Sequence, residues 1–160
     1  MSSVLLAFGS NLGDKKSNIL KALELLSKHK SIDIIKTSSF FITEPMGKED
    51  QPFFINSAAL IRTSNSPEQL LSIIKSIESE IGRKKREKWH EREIDIDIIF
   101  FDNLILNLEG LSIPHSEMHK RNFVLIPAAE IAPDLIHPIL GKSVLEIQWE
   151  CKDNLKVVSA

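Results

Sequence analysis

Residues 93–101 read Glu93-Ile94-Asp95-Ile96-Asp97-Ile98-Ile99-Phe100-Phe101, and whether this run is a strand decides how the rest of the chain assembles. Its isoleucines and phenylalanines suit a pleated surface, and a period of two puts Ile94, Ile96 and Ile98 on one face. Glu93, Asp95 and Asp97 then share the other face, which continues through Ile99 and Phe101. Same-face neighbours on a strand lie only about 6.5–7 Å apart, so adjacent carboxylates repel unless a cation sits between them. Two readings follow: a divalent-metal site, or a solvent-facing edge whose acids discourage aggregation. Aspartate is a poor strand residue and this face turns apolar, which favours the metal.

The segments on either side fit a sheet around this strand. Upstream, Ser66-Pro67-Glu68-Gln69 is a helix start, with Ser66 as cap, Pro67 at the first helical position and Gln69 closing a capping box. Leu70, Ile74, Ile77 and Ile81 hold a helical stripe until Gly82 ends it. Before that helix, Phe53 to Thr63 reads as a strand with Phe54, Asn56, Ala58 and Leu60 on one face. Prolines and Gly47 make 44–52 a long loop, and Asp33 to Ile42 is a strand before it. Ile19, Leu20, Leu23 and Leu26 predict a helix from Lys15 to about Lys28. It follows a strand at Val4 to Phe8 and a turn at Gly9 to Asp14.

Downstream, Leu104 to Leu108 predicts a short strand and Asn122 to Ile131 a helix that Pro133 stops. A second capping box at Ser143 to Glu146 opens a final short helix. The order strand, helix, strand, strand, helix, strand is that of an α+β ferredoxin-like sandwich with C-terminal additions. Helices are expected on one face of the antiparallel sheet, leaving the other open for a site.

A length of 160 residues suits a single domain, 1–160, and the formal net charge of -2 gives no global footprint for nucleic acid. Cys151 is the only cysteine, which excludes an internal disulfide and a cysteine metal cluster. With neither a basic signal-type start nor a long apolar segment, no membrane association and a cytoplasmic location are expected.

Arg83, Lys85, Arg86, Lys88 and Arg92 run directly into the acidic strand. Alone, such a cluster is usually a solvated face. Beside a carboxylate pair it is what polyphosphate chemistry needs: Mg²⁺ bridges phosphate oxygens while arginine and lysine absorb developing charge. Trp89 among the cations would stack on a base or lid the site, or pack against its own domain. His115, taken alone, reads as a surface histidine in a turn, and Phe123 as core or as a platform for a flat heterocycle beside Arg121. Asn56 lies on a face shared with Phe54 and Ala58 and must hydrogen-bond protein or ligand. Gly9 to Gly13 lacks the lysine and spacing of a P-loop, and does not match the dinucleotide-binding glycines. An RNA-binding module would show a Lys/Arg-Gly-aromatic strand, which is missing, and a two-metal nucleotidyl transferase on the same fold stays open.

Phe8-Gly9-Ser10-Asn11-Leu12-Gly13, Gly47 through Gln51-Pro52 with Phe54 and Asn56, and Gly82-Arg83 are joined by Trp89 and Arg92 leading into Ile94 to Ile98. With Pro114-His115 through Arg121 and Phe123, this ordered set resembles the 6-hydroxymethyl-7,8-dihydropterin pyrophosphokinase family from about Val4 to Pro138. The resemblance implies a monomeric folate-pathway enzyme that moves the β,γ-diphosphate of ATP to the pterin hydroxymethyl oxygen and releases AMP. It implies that Asp95 and Asp97 hold two Mg²⁺ ions and that Arg83 and Arg92 stabilise the transferring group. ATP would be bound by Glu78, Lys85, Trp89, Arg92, Ile98, Ser112, His115 and Arg121. The pterin would lie between Phe54 and Phe123, read by Asn56, with Thr43, Pro45, Met46, Trp89 and Asp95 around it. The chain departs from the family at Trp89-His90-Glu91-Arg92, where Trp-Gly-Pro-Arg is usual, at Lys85 in place of an arginine, and at Ser116 in place of an aromatic.

Overall fold

The strands and α-helices of the described residues are β1 (Ser2–Ser10), α1 (Lys15–Ser27), β2 (Ile32–Thr37), β3 (Phe41–Thr43), β4 (Phe54–Thr63), α2 (Pro67–Ile81), β5 (Asp95–Phe101), β6 (Leu106–Leu108), β7 (Leu111–Ile113), α3 (Asn122–Ile131), α4 (Val144–Glu150) and β8 (Val157–Ser159). They are seen in a computed structural model that describes residues 1–44, 52–82 and 92–160. Local chemistry sets their ends. Asp14 caps α1 by accepting from Ser17 N, Ser66 and Gln69 form the reciprocal box on α2, and Gly82 closes α2 at φ 106°, a left-handed turn that suits glycine.

The main sheet runs β5-β1-β4-β3-β8, with β2 also paired to β4, and every pairing is antiparallel. This is the α+β ferredoxin-like arrangement, its second strand built from two pieces. The expected single strand from Asp33 to Ile42 breaks because Ser38 takes over a rung of the ladder: its Oγ accepts from Ala58 N at 2.8 Å. Thr37 faces Ala59 whereas Phe41 faces Asn56, so the break also absorbs one extra residue.

One core lies between the sheet and the α1/α2 layer. Val4, Leu6, Phe8, Ile94, Ile96 and Ile98 meet Ile19, Leu26, Leu70, Ile74 and Ile77 there. The opposite face, expected to be open, is largely covered: Leu5, Ala7, Ala58, Ile99 and Phe100 pack under Val124, Leu125, Ala128, Val144 and Ile147 of α3 and α4. Helix α3 is apolar around much of its circumference and needs a sheet to cover it. The end of the sheet near Gly9, Phe54 and Asp95 holds a cleft among the described residues.

Strict alternation on β5 fails at one point. Leu6 pairs with Ile98 and Leu5 with Phe100, so Ile99 is an extra, bulged residue. Phe101 is therefore turned onto the α1/α2 core, not onto the acidic face where a period of two places it. The expected strand at 104–108 is shorter, 106–108, and pairs only with β7. Among the described residues no helix is long and apolar enough to cross a membrane.

Candidate active site

The cleft lies where β1 ends, β4 begins and β5 begins, with the start of α3 as its far wall. Gly9 makes close packing there possible. A Cβ on Gly9 would come within 3.1 Å of Asn56 Nδ2 and 3.6 Å of Phe54 Cδ1, so both side chains lie against bare β1 backbone. Phe54 and Phe123 both line the cleft, and the Arg121 guanidinium stands 5.7 Å from the centre of the Phe123 ring.

Between the aromatic walls lie buried polar groups. Asn56 reaches Phe8 O at a long 3.5 Å through its amide nitrogen, while its Oδ1 has no hydrogen-bond partner among the described residues. The same holds for Thr43 Oγ1 on the neighbouring strand. Both residues line the cleft and are 5% and 2% exposed. Buried acceptors and hydroxyls normally have partners, so this pair points to a ligand with donors and acceptors along one flat edge. Gly9→Val, which fills the space Asn56 and Phe54 occupy, is expected to raise the Michaelis constant for the flat substrate about tenfold, on the scale of an overpacked site. Steady-state kinetics with each substrate varied would check that the constant for the other substrate is unchanged.

The acidic side is Asp95 and Asp97, alternate residues of β5 that both line the cleft. Burial pushes the Asp97 carboxyl up to about 7, helped by Asp95 and Glu78, against the opposing pull of Arg121 and Arg92. Arg92 Nη1 meets Asp95 Oδ2 at 2.9 Å and holds that carboxylate in place. Two neighbouring carboxylates, one of them held back from ionising mainly by burial, present hard oxygen ligands to the cleft, a donor set that fits Mg²⁺. The described residues contain no cluster of three or more His, Cys, Asp or Glu, so an ion here would draw its other ligands from water or substrate oxygens.

The approach to β5 is pinned by Ser10 and Asn11, from the expected turn, and by Asn18 of α1. Asn11 exchanges two bonds with Arg92: Asn11 N donates to Arg92 O at 3.0 Å, and Arg92 N donates to Asn11 Oδ1 at 2.7 Å. Ser10 Oγ and Asn18 Nδ2 both donate to Glu93 O, at 2.6 and 3.0 Å. Complete burial of Ser10 and Asn11 is the mark of this clamp. It fixes the backbone from which Arg92, Asp95 and Asp97 project.

Glu78 does not line the cleft. It is buried on α2 and accepts from Ile96 N at 2.9 Å, with Lys75 at 3.6 Å from its other oxygen. It thus satisfies a strand amide between the two aspartates and adds negative charge behind them. Ile98 is buried in the α1/α2 core, and Ser112 on β7 donates to Asn107 Oδ1 at 3.2 Å. His115 follows a cis Ile113–Pro114 bond, and its Nδ1 accepts from Glu117 N at 3.1 Å, which leaves Nε2 to carry the imidazole proton. Burial first, then Arg121, lowers its pKa. None of these four belongs to the cleft lining, whereas Arg121 does. Arg83, Lys85, Trp89, Pro45 and Met46 lie outside the described residues.

Residues 5–133 match the 7,8-dihydro-6-hydroxymethylpterin-pyrophosphokinase family. A 2-amino-4-hydroxy-6-hydroxymethyldihydropteridine pyrophosphokinase of Aquifex aeolicus is 41% identical over 150 residues, covering 94% of this chain and 92% of that protein. The protein of the same name from Haemophilus influenzae is 41% identical over 138 residues, covering 86% of each. In fold, the chain is similar to a Plasmodium falciparum HPPK-DHPS crystal structure with a TM-score of 0.74 at 18% identity, covering 93% of this chain and 42% of that longer one. By the match of its own residues 5–133, the chain belongs to the 7,8-dihydro-6-hydroxymethylpterin-pyrophosphokinase family.

Proposed function

We propose that this chain uses the cleft to move the β,γ-diphosphate of ATP onto the hydroxymethyl oxygen of 6-hydroxymethyl-7,8-dihydropterin, giving the pterin diphosphate and AMP in folate biosynthesis. The observation that carries the reading is the joining, in one cleft, of an aromatic slot with unsatisfied Asn56 and Thr43 and a carboxylate pair flanked by Arg92 and Arg121. A flat pterin fits between Phe54 and Phe123, with its amide and amine edge on Asn56 Oδ1 and Thr43 Oγ1. Its hydroxymethyl group then points toward the Asp95/Asp97 side.

The hydroxymethyl oxygen attacks the β-phosphorus, the bond from that phosphorus to the α,β-bridging oxygen breaks, and AMP leaves as the hydroxyl proton is lost. Asp95 and Asp97 would hold the two Mg²⁺ ions, which when bound neutralise the triphosphate and make the β-phosphorus more electrophilic. Arg92 takes up charge that develops on the transferring group, and Arg121, close to both His115 and Asp97 in its electrostatic effect, faces the nucleotide side of the cleft. Arg83 would stabilise the transferring group, Lys85 and Trp89 would serve in ATP binding, and Pro45 and Met46 in pterin binding. Glu78 acts from behind β5 by fixing the Ile96 amide, Ile98 supports the strand from the α1/α2 core, and His115 and Ser112 would serve the nucleotide from outside the slot. We place the chain in the cytoplasm as a single-domain monomer, in keeping with its lone cysteine and balanced charge.

Incubation with Mg-ATP and reduced 6-hydroxymethylpterin, followed by nucleotide chromatography, is the direct test. Pterin-dependent AMP is the expected product. ADP in its place would mean γ-phosphoryl transfer and would overturn the assignment.

A further inference from the structure

The last ten residues lie beyond the family match, yet they touch both walls of the pterin slot. Strand β8 lies along β3, pairing Val157 with Thr43, Val158 with Ile42 and Ser159 with Phe41, and Ala160 N donates to Phe40 O at 3.0 Å. Without β8, the three-residue β3 that presents Thr43 would be an edge strand with one neighbour.

At the other wall, α3 begins at Asn122, between Arg121 and Phe123, and Arg121 in the cap position offers no side-chain cap. A helix start leaves amides without intrahelical partners. The carboxylate of Asp153 supplies one from thirty-one positions away: Asp153 Oδ2 accepts from Asn122 N at 2.9 Å. Its other oxygen accepts from Leu155 N at 3.0 Å, fixing the turn that sends the chain on toward β8. One carboxylate therefore ties the start of the Phe123 wall to the strand that backs the Thr43 wall, and a negative charge at a helix N-terminus adds to the bond.

We infer that residues 153–160 are a strap that sets the width of the pterin slot, with Asp153 as its positioning residue. The inference rests on the assignment of the Phe54/Phe123 slot to the pterin. Pre-organised walls bind a rigid ligand without an ordering cost at the moment of binding, so loosening them weakens pterin binding selectively. No described contact of β8 reaches Asp95, Asp97 or Arg92; Arg121 adjoins Asn122, so selectivity for pterin over nucleotide is read in the truncated chain, which keeps Asp153.

The test measures the pterin dissociation constant by ligand fluorescence, and that of a non-hydrolysable Mg-ATP analogue by calorimetry, in Asp153→Ala, in Asp153→Asn and in a chain ending at Asn154. Truncation is expected to weaken pterin about tenfold with the nucleotide analogue within about twofold, on the scale of a lost supporting contact. Asp153→Ala is expected to weaken pterin similarly, and Asp153→Asn, which keeps a carbonyl acceptor for Asn122 N, to recover most of the loss. Phe123→Ala separates the two levels of inference. If it leaves pterin binding unchanged, the slot assignment is wrong. If it weakens pterin while both Asp153→Ala and the truncated chain bind pterin as the wild type does, the strap is overturned and the slot survives. Equal losses for pterin and nucleotide in the truncated chain would also overturn it, by showing general loosening.

Discussion

Asp97→Asn is expected to lower the rate of diphosphate transfer about a thousandfold or more, as loss of a metal-holding charge does, and at the same time to make the metal-free protein more stable at pH 8. The two effects share one cause. Asp97 is driven up to about 7 by burial and by the Asp95 and Glu78 carboxylates, so its ionised form is disfavoured in the native state. Between about pH 4 and pH 7 the folded protein holds a proton on this group that the unfolded chain has released. Stability therefore falls as pH rises through that window, and above pH 7 the whole penalty is present. An asparagine of the same shape carries no charge, and its removal of the penalty is expected to gain on the order of 1–3 kcal/mol at pH 8 without metal. At pH 4, where the native carboxyl is protonated, the two proteins should melt alike. Calorimetric scans at both pH values, with and without excess Mg²⁺, make the check, because Mg²⁺ should stabilise the wild type and not the variant. A variant retaining a tenth of the activity, or one that Mg²⁺ stabilises as it does the wild type, would remove Asp97 from the metal site, and a difference in melting that is the same at pH 4 and pH 8 would overturn its raised pKa.

Such a strained pair was legible in the sequence because β5 alternates, and alternation fixes which side chains share a face. The capping box at Ser66, the stop at Gly82 and the stripe of Leu70, Ile74 and Ile77 were legible for the same reason: each is local chemistry at a fixed offset. What stayed hidden depends on partners far away in the chain. Nothing in the period of 93–101 announces the bulge at Ile99, because it is a matter of the register that β5 takes against β1. The break at Ser38 needs Ala58 of β4 to be placed first. Cover on the second sheet face comes from α3 and α4, which the order of the first six elements does not mention. Polar residues were hardest of all. Ser10 and Asn11 fall in the expected turn, and Asn18 and Asp153 carry no signal of their own, until the backbone groups they satisfy are in view. Glu78 shows the converse: resemblance places it with the nucleotide, while its hydrogen bond to Ile96 N places it behind the strand that carries the metal pair.

Arg92→Ala is expected to lower kcat about a hundredfold to a thousandfold, the range for removing a preorganised charge from a phosphoryl-type transition state. Arg92→Lys should recover little. The guanidinium reaches Asp95 Oδ2 at 2.9 Å from a backbone that Asn11 holds on both its N–H and its carbonyl, and the arginine and aspartate side chains are only 26% and 23% exposed. Lysine keeps the charge and has three donors, but all sit on one nitrogen at the end of a flexible stem, without the planar fork that sets separate donors toward Asp95 and phosphate at a fixed spacing. The same arginine lowers the pKa of Asp97, so its loss must move that carboxyl further up from about 7 in the metal-free protein. Two readouts then belong to one residue: a kcat loss that lysine does not repair, and an upward shift of the Asp97 titration followed by carbon NMR of the labelled carboxyl. Lysine is predicted to leave the titration near its wild-type position, because that effect needs only charge, while still failing in kcat, because that effect needs the fork. If Arg92→Lys turns over within about threefold of wild type, charge alone suffices and the paired geometry of Arg92 and Asp95 has no part in the transfer step.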